Sequence, residues 1–175
     1  MTAMEYKYRK YPRLKQYDYS LPGYYYVTIH NEIGAPLLAH IEQTDIRKPA
    51  EVKLTKIGFA ATEQLFELEQ RYGYVRIDKH VIMPTHIHAI LSLQDGAMPR
   101  PGLTDIIGAY KSLATRKINE VLETPGNRQF QRSFYETVIR DERAYQSCWK
   151  YIDGNPDKWM AHDEAEWDWR TVDEI

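Results

Sequence analysis

Two histidines separated by one residue, His86-Ile87-His88, offer the first chemistry in this chain. On a strand, positions i and i+2 project from the same side of a sheet, so both imidazoles can reach one divalent ion. Each neutral imidazole donates a nitrogen lone pair. Two such ligands leave most coordination positions open for substrate oxygens and water, as a catalytic metal requires. Much later, Tyr151 precedes Asn155 by four residues. On a helix that spacing places both side chains on one face, and the side-chain carbonyl of Asn155 is a candidate third ligand. Ligand softness favours manganese or zinc for two histidines.

The elements that must position these groups can be read from hydrophobic periodicity. Val81-Ile82-Met83 runs into Pro84-Thr85, after which Ile87, Ala89, Leu91 and Leu93 form one apolar face of a strand. His86 and His88 lie on its other face with Ile90 and Ser92. Residues 24–30, rich in tyrosine and β-branched side chains, predict another strand. Residues 36–41 are expected to pair with it as a hairpin, and 47–51 to form a loop. Leu54, Ile57, Ala61, Leu65 and Leu68 carry a helical period over 54–72, which Gly73 ends. Residues 75–83 predict the hairpin partner of the histidine strand. A second helix opens at Leu103 or Thr104 and turns Ile106, Ile107, Tyr110, Leu113, Ala114, Ile118 and Leu122 inward. A strand follows over 131–140, and a third helix over 142–154, because Pro156 disfavours helix at Asn155. This order predicts an α+β fold: a ferredoxin-like split βαβ antiparallel sheet with two helices on one face. The added C-terminal, tyrosine-bearing helix then closes over the histidine face.

The chain has 175 residues, enough for one domain with a sizeable core. The expected organisation is a basic arm over 1–20, a catalytic domain over 21–160 and an acidic tail over 161–175. No apolar run approaches the ~20 residues that span a bilayer, and residues 1–15 carry no apolar signal core. The single cysteine, Cys148, excludes an internal disulfide and fits a reducing cytoplasm. Net charge is −2, mildly against a nucleic-acid partner. The tail, however, holds six acids against Arg170 alone; without it 22 basic and 19 acidic residues leave a net of +3. Local basic patches would have to supply affinity for phosphates.

Met83-Pro84-Thr85-His86-Ile87-His88-Ala89-Ile90 resembles the His-hydrophobic-His segment of the single-tyrosine transposases of the HUH endonuclease superfamily. Ile139-Arg140-Asp141-Glu142, followed by Tyr151-Ile152-Asp153-Gly154-Asn155-Pro156-Asp157-Lys158-Trp159, resembles the tyrosine-helix segment of that family. Arg9-Lys10, Arg13-Leu14-Lys15, Tyr17-Asp18-Tyr19-Ser20, Pro22-Gly23 and Tyr26-Val27-Thr28-Ile29 are similar to one branch, the REP-associated tyrosine transposases. The resemblance runs from Arg9 to Trp159, and its motifs occur in the family order.

The resemblance implies a metal-dependent single-stranded DNA endonuclease and strand-transferase, active in DNA transposition and recombination. His86, His88 and Asn155 would hold magnesium or manganese, and Tyr151 would be the nucleophile that forms a 5′-phosphotyrosine. The implied partners are single-stranded DNA hairpins, the repetitive extragenic palindromes, each with a short adjacent guide sequence. The implied protein is a cytoplasmic, nucleoid-associated monomer or homodimer with no membrane partner. A phenol with a pKa near ~10 attacks poorly unless the phosphate is activated. Candidate DNA contacts are Arg9, Lys10 and Arg13 on the arm, Lys111, Arg116 and Lys117 on the second helix, and Arg132 and Arg140 flanking the last strand. Tyr8, Tyr11 and Tyr135 are candidates for stacking on unpaired bases. Taken residue by residue, the histidines also suit a structural pair, Tyr151 a packing residue, and Asn155 a helix stop. Gly154 lies in the predicted tyrosine helix, where glycine costs about 1 kcal/mol against alanine. That weakness and the net charge keep a second reading open, a domesticated hairpin-binding protein that no longer cuts.

Overall fold

The structure, a computed structural model, describes residue 14 and residues 16–161. Its centre is a four-stranded antiparallel sheet in the order β4 (Val75–Ile82), β5 (His86–Leu93), β1 (Gly23–His30), β6 (Tyr135–Ile139). Helices α1 (Lys56–Arg71) and α2 (Leu103–Leu122) cover one face of it. With β1 flanked by β5 and β6, and β4 outside β5, this is the expected split βαβ arrangement. The predicted α+β class and the antiparallel sheet are both present.

Pleating sorts the side chains as the alternation requires. Tyr25, Val27 and Ile29 of β1 join Ile87, Ala89, Leu91 and Leu93 of β5 against Ala61, Leu65, Ile106, Tyr110 and Ala114 of the two helices. On the opposite face Tyr26, Ile90 and Ile139 pack against Tyr151 and Ile152. Every residue of β5 is therefore buried. Within the expected 1–20 arm, Tyr17 and Tyr19 pack on the large core beside Tyr25. The backbone carbonyl of Tyr19 accepts from the amide of Leu103 at the start of α2. The arm residues Arg9, Lys10 and Arg13 and the tail beyond 161 lie outside the described residues.

Four local expectations are corrected. Residues 36–41 do not pair with β1. Instead β2 (Ala39–Glu42) pairs with β3 (Glu51–Leu54) in a separate ribbon, because β5 and β6 already occupy both edges of β1. The loop expected over 47–51 thus ends in a strand that periodicity over four residues cannot reveal. The last strand is shorter than 131–140, with Phe130 forming only an isolated bridge to Asn31. The third helix is two: α3 (Glu142–Asp153) ends at Gly154, and α4 (Asn155–Ala161) starts at once. Pro156 permits this because the first turn of a helix needs no amide from proline. Gly154 is thus a junction residue with φ −82°, not a weak point inside one helix.

The ribbon is clamped to the rest through Leu38. Thr55 caps α1 by accepting from Gly58 N at 3.2 Å and donates its hydroxyl to the Leu38 carbonyl at 2.9 Å. Leu38 N in turn donates to the carbonyl of Pro84, two residues before His86. Gly58 is required here, since a Cβ at this position would overlap the Leu38 carbonyl oxygen. Gly58→Ala is expected to lower stability by about 1–3 kcal/mol, the range for overpacking; urea unfolding of the variant beside wild type measures it.

Candidate metal and nucleophile site

The antiparallel register of β1 and β5 sets His86 opposite His30 and His88 opposite Thr28. The rings of His86 and His88 lie edge to face with centroids 4.6 Å apart. Two hydroxyls converge on His88 Nδ1: Tyr26 Oη at 2.7 Å and Thr28 Oγ1 at 2.9 Å. In the Nδ1–H tautomer this nitrogen donates to one of those oxygens and Nε2 keeps its lone pair, the state that metal ligation needs. His88 Nε2 is buried and has no hydrogen-bond partner among the described residues. His86 Nδ1 lies 3.2 Å from Thr85 Oγ1.

The C-terminal helices close over this face. Asp141 caps α3 by accepting from Ala144 N at 2.8 Å, and Lys79 pairs with Asp153 at the other end of the helix. Asp157 of α4 accepts from Ala50 N at 2.6 Å, which ties α4 to the ribbon. Held this way, the Tyr151 ring stands 5.4 Å from the His88 ring and 6.2 Å from that of Tyr26. Asn155 interacts with both His86 and Tyr151. His86, His88 and Asn155 are each 1 % exposed and Tyr151 is 8 % exposed.

Burial sets the electrostatics. It pushes His86 down to about 3, helped by the neighbouring His30, and holds His88 well below the ordinary imidazole value. Desolvation alone takes His30 down to about 4. All three rings are neutral at pH 7, as ligands must be. Burial lifts Tyr151 to about 12, against a lowering influence from Asn155. Tyr151 is thus a phenol, not a phenolate, until something compensates. Among the described residues no three His, Cys, Asp or Glu side chains are grouped to hold a metal. Asn155, the candidate third ligand, is buried beside His86.

No protein-family model matches the chain. An uncharacterized protein of Haemophilus influenzae is 30% identical over 168 residues, which cover 84% of this chain and 87% of that one. The chain belongs to the family of that protein. It also shares its fold with the solved structure of a REP-associated tyrosine transposase bound to a REP hairpin. That similarity has a TM-score of 0.55 at 16% identity, over 83% of this chain and 74% of the other. The sheet, the helix layer and the added C-terminal helices are thus those of a tyrosine transposase fold.

On this fold the sequence-predicted residues fall into two groups. His86, His88, Tyr151 and Asn155 come together, although Tyr151 and Asn155 sit on successive helices and not on one. Lys111, Arg116 and Lys117 ride on α2, across the sheet from the histidines. Lys111 Nζ donates to the carbonyls of Gln131 and Arg132 at 2.8 and 2.7 Å, so its ammonium holds the loop before β6. Lys117 pairs with Glu120. Arg132 and Arg140 are exposed at either end of β6, Arg140 next to the Asp141 cap of α3. Tyr135 packs edge-on against His30. Tyr145 donates to Asp78 at 3.2 Å and packs on Tyr24 and Trp149, away from the histidines. His80 stands against Phe66 of α1 on the helix face. Tyr26, Thr28 and His30 were missed as site residues. The period-2 alternation of β1 puts them on one face, but which strand they would oppose is a tertiary fact.

The neutral histidines make stability pH-dependent. Unfolded imidazoles titrate near ~6.5, above the folded values, so below that pH the unfolded state binds more protons and stability falls. Urea midpoints are expected to drop as pH is lowered from 6.5 toward 4. The drop should be shallower in His30→Asn, whose side chain does not titrate.

Proposed function

We propose that this protein is a metal-dependent single-stranded DNA endonuclease and strand-transferase of the tyrosine transposase type. It cleaves at palindromic hairpin DNA through a covalent 5′-phosphotyrosine. One observation carries the reading: the C-terminal helices bring Tyr151 and Asn155 onto the buried pair His86 and His88. The shared fold with a transposase solved on a REP hairpin supports hairpin DNA as the substrate class.

His86, His88 and the Asn155 carboxamide suit a divalent ion, because all are neutral and His88 Nε2 is a buried acceptor without a partner among the described residues. Bound there, magnesium or manganese would supply positive charge against the charge that develops on the scissile phosphate. With Nδ1 protonated and donating to Tyr26 or Thr28, His88 Nε2 would keep its lone pair for the ion. Among the described residues the rings of Tyr26 and Tyr151 both adjoin His88; the Tyr26 hydroxyl lies on Nδ1, and Tyr151 is the one assigned to attack. Its Oη bonds to phosphorus while the bond from phosphorus to the 3′ oxygen breaks. The phenolic proton passes to solvent and the departing 3′ oxygen takes one up. One phosphodiester replaces another of similar energy, so the step can run backwards and suits strand transfer better than hydrolysis does.

The burial of Tyr151 favours one second reading, a hairpin-binding protein that does not cut. Labelled single-stranded hairpin DNA incubated with manganese and resolved on a denaturing gel separates the two. The proposed activity predicts a covalent adduct in wild type, none in Tyr151→Phe and none with EDTA. The binding module predicts a native-gel shift that neither change removes, with no adduct anywhere. Tyr26→Phe, which removes one of the two oxygens on His88 Nδ1, is expected to weaken manganese binding by about 10-fold, measured by calorimetry on the folded variant.

A further inference from the structure

We infer that Lys158 is the cation of this site that contacts the scissile phosphate, a role that rests on the activity proposed above. The ammonium stands over the Tyr151 ring, 4.3 Å from its centroid. Its charge also reaches His88 and disfavours the protonated ring there. Lys158 follows Asn155 by three residues on α4, so helix geometry aims it to the same side as the candidate ligand.

Among the described residues, two acidic neighbours of Lys158 are engaged elsewhere. Asp153 pairs with Lys79, and Asp157, next to Lys158, has a carboxylate oxygen turned to the amide of Ala50. Lys53, on the ribbon that α4 touches, is paired with Glu51. Among the described residues no salt bridge engages Lys158. His86, His88, Asn155 and Tyr151 are all neutral, and among the described residues Lys158 is the cation set over the Tyr151 ring. A phosphodiester arriving at Tyr151 brings one negative charge and gains more as the phosphorus becomes five-coordinate. A lysine is a point charge on a flexible stem, able to swing from the ring face to a non-bridging oxygen of that phosphate. During attack, Lys158 keeps its proton; the bonds made and broken are those at phosphorus described above.

The test has two arms. In the first, the wild-type protein is reductively methylated with and without a hairpin oligonucleotide carrying single-stranded flanks, and lysines are read by mass spectrometry. Protection of Lys158, with Lys56 of α1 as reference, is expected. Equal modification of Lys158 in free and DNA-bound protein overturns the inference. In the second, single-turnover adduct formation is compared in wild type, Lys158→Met and Lys158→Arg. A loss of about 10²–10³-fold in Lys158→Met, as for removal of one charge-stabilising group, with substantial rescue by arginine and unchanged hairpin affinity, supports it. A wild-type rate in Lys158→Met overturns it. If wild type forms no adduct at all, the cleavage reading fails, while the protection experiment still decides the phosphate contact. If Lys158→Met does not fold, that same experiment on wild type decides.

Discussion

Strand β5 is covered on both faces, and this constraint shapes everything around it. A strand buried on one side can leave its polar residues to water. Here the side away from α1 and α2 is closed by α3 and α4, so two imidazoles lie in the protein interior. Buried polar groups need partners. His88 Nδ1 finds Tyr26 and Thr28 on the neighbouring strand, and Nε2 is left pointing where no described group meets it. The same burial keeps the histidines neutral and Tyr151 protonated. Two neutral imidazoles and a protonated phenol thus share one buried face.

The two faces of the sheet differ in how firmly they are held. The helix face is a continuous apolar core of aliphatic and aromatic side chains from five elements. The site face is held by a small cluster around Tyr26, Ile90, Ile139, Tyr151 and Ile152, plus the Lys79–Asp153 pair and the Asp157–Ala50 hydrogen bond. Exposed ion pairs of this kind contribute little, typically about 0–1 kcal/mol. Tyr151 keeps only 8 % of its surface exposed where α3 and α4 close over the sheet.

How much could be read in advance follows from the range of the interactions involved. The His86/His88 face and the apolar face of β5 were legible because strand alternation is local. The α1 and α2 boundaries came within two residues, since their apolar stripes are long. The β2–β3 ribbon was not legible: each strand has four residues, and their pairing depends on β1 being occupied on both edges. The division of the tyrosine helix was half visible. Pro156 marked a break, but the chain resumes helix at once because proline is acceptable in a first turn. The hydrogen bonds of Lys111 to backbone carbonyls before β6 were not legible, because they join α2 to a loop about twenty residues away.

By itself the sequence determined which side chains exist at chemically suggestive spacing, the α+β element order, and the face on which each strand residue points. These depend on the fixed periods of backbone geometry. Only the tertiary structure decided that Tyr26 and Thr28 share His88 Nδ1, that His30 stands opposite His86, and that Lys158 lies over the Tyr151 ring. Each of those contacts joins residues whose proximity is set by strand register or by the docking of α4. Register and docking minimise exposed apolar surface and unpaired polar groups over the whole molecule, a balance that no local stretch of sequence contains.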